Sequence, residues 1–77
     1  DMDVFDPAFA PGVGNPEPDG LEPWMVLDLV PVIIDERLRG ADVVETNPLL
    51  DPSGITVLLA AKTVLEIIAA HYKSVKQ

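Results

Sequence analysis

The sequence contains no cysteine, and residues 1–36 contain no lysine or arginine. Without cysteine neither disulfide bonds nor thiolate metal sites can form, which excludes the disulfide-stabilised class of small domains. Nine acidic residues and no lysine or arginine precede Arg37, and the formal net charge of the chain is -8. Such a surface disfavours nucleic acid and anionic lipid as partners and suits a cation or a cationic substrate. The alternative interpretation is that the acidic residues only improve solubility.

Several functional motifs are also missing. The sequence has no Ser/His/Asp arrangement, no phosphate-binding loop and no nucleotide-binding fingerprint. The acidic N-terminus is unlike a signal peptide, so we expect a cytoplasmic protein. The most apolar run, residues 55–70, includes Lys62 and Glu66, and we expect no membrane span there. A chain of 77 residues can form one small domain with a marginal core.

The order of predicted elements is typical of an α/β fold. We predict a strand end at 1–4, a rigid loop rich in proline and glycine at 5–20, a helix at 21–34, a strand at 41–46 and a helix at 53–72. Pro31 should kink the first helix or end it near Val30. The implied strands would be parallel, and two parallel strands cannot form a stable sheet alone. The last helix also has more apolar surface than this chain can cover, so we expect further sequence or another chain to complete the layer.

Two aspartates begin the chain with one apolar residue between them. In an extended strand residues i and i+2 face the same side, so the carboxylates of Asp1 and Asp3 would converge on one point. Repulsion between them would favour a bound cation, and oxygen ligands suit Mg²⁺, Mn²⁺ or Ca²⁺. An EF-hand loop also begins D-x-D, but Asp6 stands where that loop needs glycine and Gly12 where it needs glutamate. The alternative is an acidic strand end exposed to solvent.

A third acidic residue lies at the end of the second predicted strand. Open α/β sheets bind ligands beyond the carboxyl ends of their strands, which is where Glu45 falls. A carboxylate that follows Val43 and Val44 needs a cationic partner or several hydrogen bonds. That partner is either Arg37 or Arg39 of the same chain, or a guanidinium group of a substrate held bidentately.

Two longer motifs resemble the ureohydrolase family, which includes arginase, agmatinase and formimidoylglutamase. Residues 1–17 (DMDVFDPAFAPGVGNPE) resemble its D-x-D, D-P and P-G-x-G-x-P-E pattern, which G-G-L follows. Asp19 replaces the first glycine of that G-G-L, which matters only if the position needs a positive φ. Residues 42–51 (DVVETNPLLD) resemble the V-E-x-N-P-x-x-D segment. The resemblance implies the C-terminal part of a three-layer α/β/α arginase-like fold with a parallel sheet, incomplete without an N-terminal portion.

The resemblance also implies roles for individual residues. The family has a centre of two manganese ions that activates water for attack on a guanidinium or amidine carbon. By position, Asp1 would bridge the two ions, Asp3 would bind one of them, and Glu45 would hold the substrate guanidinium. Asn15, where the family often has threonine, would lie near the guanidinium pocket and help to bind substrate. Asp6 is expected to brace the loop through hydrogen bonds.

The remaining metal ligands of the family lie in two upstream motifs, G-G-D/x-H and H-x-D-A-H-x-D, which these residues lack. We therefore predict one part of a binuclear manganese hydrolase, active only with the missing N-terminal part. The complete enzyme would cleave a C–N bond of an arginine-type or agmatine-type substrate and release urea, and the family implies a homo-oligomer, a trimer or hexamer. The alternatives are a non-catalytic ureohydrolase-like binding or regulatory partner and a self-contained acidic protein with a helical hairpin.

Overall fold

Two α-helices that pack against each other dominate the computed structural model, which describes residues 1–76. Helix α1 comprises Pro23–Ile33 and helix α2 comprises Ile55–Val75. A 3₁₀ helix at Met2–Val4 opens the chain, and another at Pro48–Leu50 lies between the two α-helices. Isolated β-bridges join Phe5 to Leu21 and Val13 to Thr46.

The first 3₁₀ helix takes the place of the strand predicted at 1–4. Its N-cap is Asp1, whose Oδ1 accepts a hydrogen bond from the Asp3 N–H at 3.1 Å. This local bond satisfies a backbone donor at the start of the turn, and it favours the turn over an extended conformation. The alternation of strand side chains does not apply to such a turn. The argument that Asp1 and Asp3 share one strand face is therefore wrong.

Residues 41–46 do not form the predicted strand either. Within residues 1–76 this segment has only isolated partners, because Val44 O accepts from Met2 N and Thr46 bridges to Val13. A strand needs a neighbour that pairs along its length, and residues 1–76 provide none for this segment. The parallel sheet of the α/β/α fold stays a prediction.

Both helices differ in their bounds from the sequence prediction. Helix α1 begins at Pro23, where a proline suits the first turn, and it continues through Pro31 to Ile33 instead of ending near Val30. Pro31 removes one intrahelical hydrogen bond near the end of the helix, and the Ile34 N–H closes the last turn by donating to the Val30 carbonyl at 3.0 Å. Helix α2 begins at Ile55, because Gly54 has a φ of +77° and holds a left-handed turn just before it.

The buried core lies beneath the loop of residues 5–20. Its fully buried members are Met2, Phe5, Ala10 and Val13, and the partly buried residues packed on them are Val26, Val43, Leu59 and Ala60. Phe5 and Val13 therefore anchor the loop in the core, whereas the third large apolar residue of the loop, Phe9, stays 37% exposed. The proline-rich loop is thus fixed to both helices by its own side chains.

Much of the apolar surface of α2 remains uncovered. Leu58 is 70% exposed and Leu65 62% exposed. An apolar groove of about 500 Å³ also lies between α2 and residues 38–43. By length and composition alone α2 could cross a membrane, a property that buried helices of soluble proteins share. Apolar surface of this extent indicates that something else covers α2.

Candidate metal and substrate site

A backbone hydrogen bond joins the D-x-D segment to the segment of Glu45. The Met2 N–H donates to the Val44 carbonyl at 3.0 Å. The residue between Asp1 and Asp3 is thereby bonded to the residue that precedes Glu45. Met2 is 1% exposed, so its side chain anchors this junction in the buried core. Glu45 lies more than forty positions after Asp1 and Asp3 in the sequence. The bond thus holds these three acidic residues on two adjacent segments.

Glu45 has an unusual backbone conformation. Its φ of +74° lies in the left-handed region, which costs an L-residue with a side chain roughly 1–2 kcal/mol. The segments on both sides hold it there, since Val44 O accepts from Met2 N, and Asn47 N donates to Gly12 O at 2.6 Å. A strained residue fixed from both sides is typical of functional positions.

No arginine neutralises Glu45 within the part of the chain that the structure describes. Arg37 pairs instead with Asp35, at 2.7 Å between Nη2 and Oδ2. Arg39 donates to the Arg37 carbonyl at 3.4 Å. The side chain of Glu45 is exposed and available to a ligand. The internal ion pair considered from the sequence is therefore not formed.

The loop that carries Asn15 is braced by Asp6. The Asp6 carboxylate accepts hydrogen bonds from Ala8 N at 2.8 Å and from Gly20 N at 3.1 Å. These bonds lower the pKa of Asp6, with the bond from Ala8 contributing most. Asp19 has a φ of +64°, so the family's glycine position does need a positive φ here. The expected bracing role of Asp6 is confirmed, and Asn15 is exposed on the loop that it supports.

A second polar cluster was not predicted as part of the site. The buried Thr56 Oγ1 accepts a hydrogen bond from Gly12 N at 2.7 Å, and Thr56 N donates to Asp51 Oδ2 at 2.8 Å. Ser53 Oγ also donates to Asp51. Asp51, followed by Pro52, is typical of an N-cap, but the N-cap of α2 is Gly54. Asp51 instead accepts from the N–H of Thr56 in the first turn of the helix, and Thr56 was not predicted to contribute. A single threonine in the first turn of a helix gives no distinctive sequence signal for such a role.

Hydrogen bonds hold the pKa of Asp51 at about 2, well below its ordinary 3.8, with the Ser53 hydroxyl contributing most. A carboxyl whose pKa falls on folding stabilises the native state above its unfolded pKa and loses that effect as pH falls through the folded value. We expect Asp51→Asn to lower the melting temperature at pH 5, and the difference from wild type to shrink between about pH 4 and pH 2.

Thermal unfolding followed by circular dichroism measures this difference, with Asp28→Asn on the exposed face of α1 as the matched control. A difference that is the same at every pH would contradict the assigned protonation of Asp51.

The described residues do not form a metal-binding site by themselves. Among residues 1–76, no three His, Cys, Asp or Glu side chains are grouped closely enough to hold an ion. Asp1 and Asp3 offer carboxylate oxygens, which Mn²⁺ accepts. His71 does not join them, since its Nδ1 lies 3.0 Å from the Asp35 carbonyl. The two aspartates therefore fit a manganese centre as a partial set of ligands.

Comparison with known proteins identifies the chain. The model of the arginase family matches residues 1–70. The chain belongs to the arginase family. Proclavaminate amidinohydrolase of Streptomyces clavuligerus is 47% identical over 74 residues, which are 96% of this chain and 24% of that protein. The mitochondrial guanidino acid hydrolase of Homo sapiens is 43% identical over 91% of this chain and 20% of its own length.

A solved structure supports the same assignment for the fold. The crystal structure of agmatine ureohydrolase from Thermoplasma volcanium matches with a TM-score of 0.87 and 44% identity, over 97% of this chain and 25% of that one. The chain thus spans about a fifth to a quarter of the length of these arginase-family relatives. Because the match includes nearly the whole chain, α2 with its exposed apolar face is part of the family fold.

Proposed function

We propose that these residues form one quarter of a binuclear manganese ureohydrolase that hydrolyses a C–N bond of a guanidino substrate and releases urea. The remaining part of the enzyme would supply the other metal ligands and cover the apolar face of α2. The observation that carries the proposal is the Met2–Val44 hydrogen bond, at 3.0 Å. It joins the segment of Asp1 and Asp3 to the segment of Glu45 in a chain of the arginase family.

In the proposed site the acidic residues of this chain have two different roles. Asp1 and Asp3 would hold the manganese ions through their carboxylates. The ions, when bound, supply activation of water near neutral pH and stabilisation of developing negative charge. Glu45 would accept two N–H bonds from the substrate guanidinium, and this bidentate contact fixes the orientation of the central carbon. Asn15 would add a hydrogen bond at the edge of the same pocket.

The names of the relatives support a guanidino substrate. They describe hydrolases of proclavaminate, guanidino acids and agmatine. The guanidinium is common to arginine and agmatine, and Glu45 would contact only that group of the substrate. We therefore propose an arginine-type or agmatine-type substrate. A trimeric or hexameric assembly and a cytoplasmic location remain part of the proposal.

A grafted enzyme tests the proposed function. In this chimeric enzyme, which we call the graft, residues 1–77 would replace the matching quarter of the Thermoplasma volcanium agmatine ureohydrolase. We expect the graft with manganese to release urea from agmatine, and residues 1–77 alone to release none, because two aspartates cannot complete the centre. A graft that folds and binds manganese but shows no turnover would favour the non-catalytic alternative. Turnover by residues 1–77 alone would contradict the proposed division of the site.

A further inference from the structure

A buried hydrogen-bond relay connects the start of α2 to the loop behind the two aspartates. Thr56 is completely buried, and its Oγ1 accepts from Gly12 N at 2.7 Å. Its own N–H donates to Asp51 Oδ2 at 2.8 Å, and Asp51 is 5% exposed. The Thr56 hydroxyl also helps to keep the Asp51 carboxyl ionised, since it contributes to the low pKa of Asp51. The relay thus runs from Gly12 through Thr56 to Asp51.

Gly12 is the point at which this relay meets the segment of Glu45. The N–H of Gly12 is used by Thr56, and its carbonyl accepts from Asn47 N at 2.6 Å. The next residue, Val13, forms the β-bridge to Thr46. Residues 46 and 47 follow Glu45 directly, so the position of Gly12 determines where the chain leaves Glu45.

Glu45 depends on these neighbours for its conformation. Its φ of +74° is unfavourable for an L-residue, and its exposed side chain packs into no core. On one side it is held by the Met2–Val44 bond, on the other by the bonds to Gly12 and Val13. Loss of the Thr56 hydroxyl would leave the buried Gly12 N–H unpaired. The loop at Gly12 could then shift, and the bonds of Gly12 and Val13 would carry that shift to the residues that follow Glu45.

We propose that Thr56, together with Asp51, is a positioning residue that sets the Glu45 carboxylate relative to the segment of Asp1 and Asp3. This inference rests on the proposed function, since it assumes that Glu45 binds the substrate. Neither Thr56 nor Asp51 would touch substrate or metal. Their effect would pass through Gly12 to the backbone that follows Glu45.

Thr56→Val in the graft is the first test. This change keeps the side-chain shape and removes the hydroxyl. We expect kcat/KM for agmatine to fall about 10- to 100-fold with manganese content unchanged, because small displacements of a substrate-binding group have effects of this size. Thr56→Ser keeps the hydroxyl and should stay within about threefold of wild type.

Thr63→Val is the matched control. Thr63 is also buried on α2, but its Oγ1 donates to Leu59 O at 2.8 Å within the same helix. It should affect stability without changing kcat/KM. An equal change in kcat/KM from Thr56→Val and Thr63→Val would overturn the positioning role, as would loss of manganese from the Thr56 variant.

A double-mutant cycle with Glu45→Gln separates positioning from general destabilisation. If Thr56 acts through the Glu45 carboxylate, Thr56→Val should cause no further loss of kcat/KM in the Glu45→Gln background. A multiplied loss would overturn the inference. If Thr56→Val does not fold, Asp51→Asn decides by the same cycle, with an expected loss of about tenfold that also disappears in the Glu45→Gln background.

The two proposals fail in different ways. A graft that folds and binds manganese but shows no turnover would refute the proposed function, and full activity of Glu45→Gln would refute the proposed substrate-binding role of Glu45. A strong effect of Glu45→Gln without any specific effect of Thr56→Val or Asp51→Asn would refute only the positioning role.

Discussion

Gly12→Ala is expected to remove most of the stability and nearly all of the activity of the graft. A Cβ at this position would lie 2.7 Å from Asp51 Cβ, 3.0 Å from Thr56 Oγ1 and 3.1 Å from Asn47 O. Overpacking of a buried site costs about 1–3 kcal/mol or more. Here the overlap involves backbone and a short aspartate side chain, which cannot move aside without breaking the bonds on both sides of Gly12. We expect kcat/KM to fall at least about 100-fold.

Two other glycines of the chain provide matched controls. A Cβ on Gly14 or on Gly40 would meet nothing within 4 Å. Gly40→Ala should leave both melting temperature and turnover near wild type, and Gly14→Ala should leave the melting temperature unchanged. Thermal unfolding and urea release measured on all three variants check the prediction. If Gly12→Ala behaves like Gly40→Ala, the close packing of the loop on α2 is not what the activity requires.

Glu45→Gln is expected to reduce kcat/KM about 100- to 1000-fold while leaving the fold intact. The change removes the negative charge that would face the substrate guanidinium, and loss of one partner of a hydrogen-bonded charge pair has an effect of about this size. The backbone attachments at Val44 and Asn47 remain, since they use no side-chain atom of Glu45. The variant should therefore melt at the wild-type temperature.

Glu66→Gln is the control for this substitution. Glu66 forms a surface pair with Lys62 on α2, at 2.8 Å between Nζ and Oε1. Such pairs contribute about 0–1 kcal/mol, so its activity should be unchanged. Steady-state rates of urea release from agmatine give the comparison. Wild-type turnover by Glu45→Gln would show that another group binds the guanidinium.

The helices were predictable from the sequence because their signals are local. A proline in the first turn and apolar residues at helical spacing place α1 and α2 to within a few residues of their observed bounds. The start of α2 was misplaced because Gly54, in a left-handed conformation, is the N-cap of the helix, three residues beyond Asp51.

The strands and the assembled site were less predictable, because they depend on partners far away in the sequence. Asp1 caps a 3₁₀ helix, since no neighbouring strand among the described residues competes for the backbone of this segment. The contact between Met2 and Val44 has no local signal, and the family resemblance alone linked the two motifs. Thr56 was missed because a single threonine on a helix has no distinctive pattern, and only its bond to Gly12 reveals its position.

The central claim is that Asp1 and Asp3 hold manganese at the place where Glu45 holds the substrate. The manganese content of purified graft variants tests it most directly. We predict about two ions per chain for wild type and for Glu45→Gln, and about one for Asp3→Asn. Full manganese occupancy in Asp3→Asn, or loss of manganese from Glu45→Gln, would contradict the account.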